Sequence, residues 1–199
     1  MNLRAICVFC GSNYGANPLY ESLAKEFGYL LAASGRTLVY GGGKIGLMGV
    51  VADAALAKGG KVIGVIPQIL VEKEQAHPNL SCLEVVKDLH ERKARMMVLS
   101  DAFVALPGGL GTYEEFFEVL SWSQIKLHEK PCGALNINGF FEPLLQLLKA
   151  NVAAGFMRQA DCSLLLTHID SGKLLAALEH YQPIRIKKWL PRGTSDLCL

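Results

Sequence analysis

Short apolar runs alternate with stretches of helical spacing along almost the whole chain, and glycine or proline closes most of the runs. This alternation limits the fold more than any other feature. Residues 5–10, 37–40, 61–66, 83–86, 102–106, 131–135 and 163–169 read as strands. Residues 19–34, an alanine-rich stretch running to Lys58, and residues 88–100, 113–127, 140–153 and 172–181 read as helices. In the first of these, Leu23, Phe27, Leu30 and Leu31 fall on one face. Strands that are apolar nearly throughout are buried on both sides. The pattern therefore predicts a single-domain α/β fold, Rossmann-like, with a doubly wound parallel sheet and helices on both faces. Residues 1–181 are expected to form that domain and residues 182–199 a loosely held tail. Ligands of such sheets bind beyond the carboxyl ends of the strands. Three loops fall there: Gly11-Ser12, Gly41-Gly42-Gly43, and Pro107 to Thr112.

The third loop is the most informative. The apolar run 102–106 passes through PGGLGTYEE into a helical pattern, so a buried strand meets a glycine turn that opens a helix. Glycines leave the backbone uncovered, and the free N–H groups of a first helical turn, aided by the helix dipole, attract an anion. Glu114 and Glu115 follow directly. A phosphate cradle beside carboxylates suggests an enzyme acting on a phosphorylated metabolite. The competing reading is structural: Thr112 and Glu115 fit an S/T-x-x-E capping box, in which the glutamate only bonds the N-cap amide.

The second loop contains Gly41-x-Gly43-x-x-Gly46 after a strand and before a helix, as a dinucleotide fingerprint requires. The acid expected about 20 residues further on is missing, because residues 61–67 hold no carboxylate. GGGK is not followed by Ser or Thr, so it is not a P-loop either. A contact to a nucleotide phosphate or ribose fits better than NAD binding. A further cluster, LHERKARMM, sets His90, Arg92, Lys93 and Arg95 near a helix start for which Asp88 is a candidate N-cap. The dipole disfavours positive charge there, so an anion nearby is expected: Glu115, a substrate phosphate or both. On the following helix Glu115, Glu118 and Trp122 share a face. His77, His128, His168 and His180 are isolated and receive no role.

Composition excludes several classes. With 51% apolar and 19% charged residues and a net charge of +2, the chain is ordinary for a globular domain, and nothing points to nucleic acid or a membrane surface. No apolar run is long enough to span a bilayer, and the N-terminus enters a strand without the h-region of a signal peptide, so a cytoplasmic protein is expected. Cys7 and Cys10 lie three apart along the first strand and face opposite sides, which argues against a metal or redox pair. Cys82, Cys132, Cys162 and Cys198 lack ligand spacing. All six read as small core residues in a reducing compartment, and no metal is expected.

CVFCGS, VYGGGKIGLMG, VIGVIP, LHERKARM and PGGLGTYEE, in this order and spacing, resemble the Lonely Guy family of cytokinin riboside monophosphate phosphoribohydrolases. The resemblance covers about residues 5–181. Members are often labelled lysine decarboxylases, but no pyridoxal-phosphate signature is visible here. The resemblance implies hydrolysis of the N-glycosidic bond of an adenosine or prenylated adenosine 5'-monophosphate, releasing base and ribose 5-phosphate, with no cofactor. By motif match Arg92 and Glu115 would be catalytic. Glu74, Lys93, Pro107, Gly108, Gly109, Leu110, Gly111, Thr112 and Tyr113 would bind substrate, with Ser12, Gly41, Gly42 and Gly43 nearby. It also implies a homodimer with active sites near the subunit interface. Tyr113 stands where leucine is usual and Leu89 where methionine is usual, so Tyr113 is expected to alter the base pocket. The alternatives are a carrier or sensor using the same cradle without turnover, and a phosphoribosyl transferase or NAD enzyme.

Overall fold

The computed structural model describes residues 2–71, 73 and 75–183. Strands β1 (Ala5–Phe9), β2 (Thr37–Tyr40), β3 (Val62–Pro67), β4 (Cys82–Val86), β5 (Ala102–Ala105), β6 (Cys132–Leu135) and β7 (Leu165–His168) form one parallel sheet in the order β4-β3-β2-β1-β5-β6-β7. Helices α1 (Leu19–Ala33), α2 (Gly46–Ala57) and α6 (Ser171–Glu179) cover one face. Helices α3 (Leu89–Leu99), α4 (Leu110–Gln124) and α5 (Glu142–Ala153) cover the other. The expected doubly wound α/β sheet is what forms.

The sheet is dry because its strands present apolar residues to both sides. In β1, Ile6 and Val8 enter the core under α1 and α2, while Cys7 and Phe9 enter the core under α3 and α4. Cys10 continues the alternation on the α1 side, so the thiols of Cys7 and Cys10 face opposite layers as the spacing requires. Phe27 and Leu31 of α1, and Phe116 of α4, are fully buried. Each such side chain contributes about 1.5–3 kcal/mol by leaving water.

Several boundaries differ from the sequence reading. Helix α4 starts at Leu110 instead of residue 113, with Gly109 as N-cap in an extended conformation (φ −101°, ψ −154°) and no side-chain capping bond. Thr112 is thus inside the first turn, and the Thr112–Glu115 capping box does not form. A side-chain cap does exist on α3, where Asp88 accepts from the Glu91 N–H at 2.9 Å and Glu91 accepts from the Lys87 N–H at 2.8 Å. A 3-10 turn, Gln159–Leu164, precedes β7 and shortens it. Not every cysteine is in the core: Cys82 is exposed because β4 is an edge strand, and Cys162 is half-buried in that 3-10 turn. The tail expected from residue 182 falls largely outside the described residues, which end at 183 and do not include Cys198.

Candidate active site

The order in which successive strands are added reverses between β1 and β5, which are parallel neighbours although far apart in sequence. A crevice opens at such a switch point because the loops leaving the two strands turn to opposite faces. The loop after β1 and the PGG turn after β5 flank it, tied by the Gly11 N–H donating to the Pro107 carbonyl at 3.0 Å. The third wall is the start of α2, whose Met48 N–H donates to the Gly11 carbonyl at 3.3 Å. That approach needs Gly46: its φ is +65°, and a Cβ there would lie 2.2 Å from the Ser12 carbonyl carbon. The result is a cavity of about 430 Å³, which is within the ordinary range for small-molecule sites.

Helix α4 points its N-terminus into this cavity. Pro107, Gly108, Gly109, Leu110, Gly111 and Thr112 all line it, as does Ser12. Gly108 is glycine for reasons of packing, since a Cβ would meet Thr112 Oγ1 at 2.1 Å. Gly109 and Gly111 are different: a Cβ on either would meet no protein atom within 4 Å. Their missing side chains leave room for something the chain itself does not supply, beside the unbonded N–H groups of a first helical turn.

Arg92 and Glu115 also line the cavity. Arg92 projects from α3 and is 5% exposed. Its Nη2 donates to the Gly41 carbonyl at 3.0 Å, and its Nη1 lies 3.9 Å from Glu115 Oε1. A Cβ on Gly41 would sit 1.9 Å from that Nη2, so the GGG loop is bare where the guanidinium passes. Gly41, Gly42 and Gly43 are buried and back Arg92 without lining the cavity themselves. The other cations of LHERKAR are absorbed elsewhere. Lys93 pairs with Glu114 and with Glu118 at 3.1 Å, and it too is not part of the cavity wall. Burial pulls its ammonium pKa down, but the two carboxylates outweigh this and the net shift is upward. Arg95 forms a two-pronged pair with Glu84 of β4, at 2.5 and 2.9 Å.

Tyr113 lies outside the cavity wall, half-buried and edge-on to Phe141 with ring centroids 6.3 Å apart. Burial pushes its phenol pKa up. Glu74 lies outside the described residues.

Sequence reasoning missed much of the remaining wall: Cys10, Asn13, Tyr14, Tyr20, Met48 and Phe140. The turn-rich stretch after β1 was the available signal for Asn13 and Tyr14. Tyr20 and Phe140 come from different helical layers and meet edge-to-face, with centroids 5.5 Å apart, which no local pattern announces. Burial, reinforced by the Glu115 carboxylate, raises the Cys10 thiol pKa strongly, so it stays protonated and is a poor nucleophile. Among the described residues no lysine lines the cavity, and no group of three His, Cys, Asp or Glu could hold a metal ion.

A family model described as "Possible lysine decarboxylase" matches residues 48–178. A cytokinin riboside 5'-monophosphate phosphoribohydrolase of Rhodococcoides fascians is 47% identical over 176 residues, covering 88% of this chain and 89% of the relative. One of the same name from Arabidopsis thaliana is 42% identical over 180 residues, covering 90% and 84%. Among solved structures, the molybdenum cofactor carrier protein of Chlamydomonas reinhardtii superposes with a TM-score of 0.67 at 22% identity, over 88% of this chain and 95% of that one. That likeness concerns the fold alone.

Proposed function

We propose that this chain, which belongs to the family of the cytokinin riboside 5'-monophosphate phosphoribohydrolases, hydrolyses the N-glycosidic bond of adenosine 5'-monophosphate or its prenylated forms. One observation carries the reading: a carboxylate, Glu115, and a buried guanidinium, Arg92, share a cavity with the open N-terminus of α4. The 5'-phosphate binds the first-turn amides of α4, with Ser12 opposite. This anchors the ribose so that its anomeric carbon faces Glu115.

Cleavage builds oxocarbenium charge on that carbon as the bond to the base nitrogen breaks. Glu115 stabilises the charge and takes a proton from the attacking water, whose oxygen bonds to the carbon. The proton passes to the departing base, leaving free base and ribose 5-phosphate. Arg92 holds its protons at neutral pH and cannot be the acid. It fixes the carboxylate by its fork, itself held on the Gly41 carbonyl. A Schiff-base decarboxylation would need a lysine in the cavity, and among the described residues that line it there is none.

The working unit we propose is a homodimer. Exposed apolar side chains at Val85 of β4, Leu89 and Val98 of α3 and Leu110 of α4 support it. The free thiols of Cys7, Cys10 and Cys132 fit a reducing, cytoplasmic setting, and no helix among the described residues is long and apolar enough to cross a membrane. The test is incubation of purified protein with AMP and with isopentenyladenosine monophosphate, followed by chromatography for free base. Tight nucleotide binding without released base would favour a carrier instead.

A further inference from the structure

The segment between β3 and β4 reads as the least regular of the chain, yet its end is strapped to the glycine loop that backs the cavity. Gly43 and Ala76 form an antiparallel bridge. The Lys44 N–H donates to the Gln75 carbonyl at 3.1 Å, and the His77 N–H donates to the Gly42 carbonyl at 2.9 Å. What fixes the strap is the His77 side chain, 4% exposed. Its Nδ1 accepts from the Asn79 N–H at 3.2 Å, so the ring proton resides on Nε2. That nitrogen lies 3.0 Å from Asp53 Oδ1 on α2 and donates to it. From the other side the Tyr40 hydroxyl donates to the Gly43 carbonyl at 3.1 Å.

The loop clamped in this way has a direct consequence for the cavity. Its first residue, Gly41, offers the carbonyl that receives Arg92, and Arg92 in turn faces Glu115. We infer that His77, held by Asp53, is a positioning residue for the Arg92–Glu115 pair, acting through the Gly41–Gly43 backbone. His77 is not among the residues that line the cavity, so it is not placed to act on substrate directly. A buried imidazole with both nitrogens engaged sets one geometry for the strap, and a guanidinium that donates to a carbonyl of the strapped loop inherits that geometry. Displacement of a catalytic group by about 1 Å can cost up to about a hundredfold in rate, so a looser loop is read in turnover before it is read in folding.

The inference rests on the function proposed above, and the experiment separates the two. His77→Ala removes both side-chain bonds; His77→Gln keeps a donor near the Nε2 position for Asp53. In His77→Ala, kcat on AMP should fall about tenfold or more with KM changed less than about twofold, and His77→Gln should recover most of the loss. The double variant His77→Ala/Arg92→Lys should turn over no more slowly than Arg92→Lys alone, because the path from His77 runs through Arg92. Unchanged kcat in folded His77→Ala, or fully multiplicative losses in the double variant, overturns the inference. If His77→Ala does not fold, Asp53→Ala at an exposed carboxylate gives the same readings. If the unsubstituted protein releases no base, the proposed function fails, and hydrogen exchange decides the network. Faster exchange of the Lys44 amide in Asp53→Ala supports it, and unchanged exchange overturns it.

Discussion

Replacing Glu115 by glutamine separates chemistry from architecture, because the two make different demands on one carboxylate. The side chain is 15% exposed and faces Arg92 Nη1 at 3.9 Å. A unit charge pair at that distance has a gross attraction of about 4 kcal/mol at an effective dielectric near 20. Desolvation of both groups cancels much of that, and Arg92 keeps the Gly41 carbonyl in the variant. Since Glu115 makes no capping bond on α4, the net folding cost should be on the order of 1 kcal/mol, or about 2–4 °C in Tm for a chain of this size. The catalytic cost is larger. The amide cannot take a proton from water and carries no charge to oppose the oxocarbenium ion, so kcat should fall by at least about a hundredfold, close to 2.7 kcal/mol of barrier. Adenine released from AMP is measured by chromatography under saturating substrate, with circular dichroism confirming the fold. A folded variant with normal turnover would refute Glu115 as the reacting carboxylate.

Arg92→Lys keeps the charge but cannot hold the Gly41 carbonyl and face Glu115 with two nitrogens at once; kcat should drop about tenfold or more with the fold intact, and an unaffected rate would return Arg92 to a structural role. Adenosine lacks the 5'-phosphate and so loses charge-assisted bonds of about 1.5–3 kcal/mol each; two such bonds predict a kcat/KM about two to four decades below that of AMP, whereas equal cleavage would remove the anion seat from the mechanism. Gly109→Ala meets no protein atom within 4 Å and should leave Tm nearly unchanged while raising KM for AMP, whereas in Gly108→Ala a Cβ 2.1 Å from Thr112 Oγ1 should lower Tm by several degrees; the reverse ranking would put the ligand elsewhere. The Arg95 hydrogen bond holds the Glu84 carboxyl below its ordinary pKa. That pair therefore adds stability above the unfolded value near 4.3, which is lost as pH falls through the folded value. Thermal melts of wild type and Arg95→Met should differ at neutral pH and converge in acid, and a constant gap would refute the linkage.

The layers of the fold are legible because each strand repeats the same apolar statement and each helix a stripe, signals that do not depend on partners. Boundaries are less legible where the backbone, not a side chain, decides them. Asp88 announces the start of α3 since its carboxylate is the cap. Helix α4 starts three residues before residue 113 because Gly109 caps it by conformation alone, and the Thr112-x-x-Glu115 pattern signals a cap in the wrong place. The exposure of Cys82 was equally hidden: it follows from β4 being the edge strand, and strand order is set by crossover paths that periodicity does not encode.

The candidate site has the same division. The PGG turn is local, so its residues could be read off directly, and the cavity wall includes every one from Pro107 to Thr112. The positive charge at the start of α3 reads only as an unexplained cost against the helix dipole. Its resolution is non-local: Arg92 is paid for by a carbonyl 51 residues away and by a carboxylate on another helix, while Lys93 and Arg95 of the same run spend their charge on Glu118 and Glu84. Three adjacent-looking cations thus have three different jobs, and their partners tell them apart. Arg92 is the one driven under the loops, where a guanidinium without a partner would cost several kcal/mol. A chain keeps such a residue at the crevice between β1 and β5 only if its fork has something to hold there, and what it faces is Glu115.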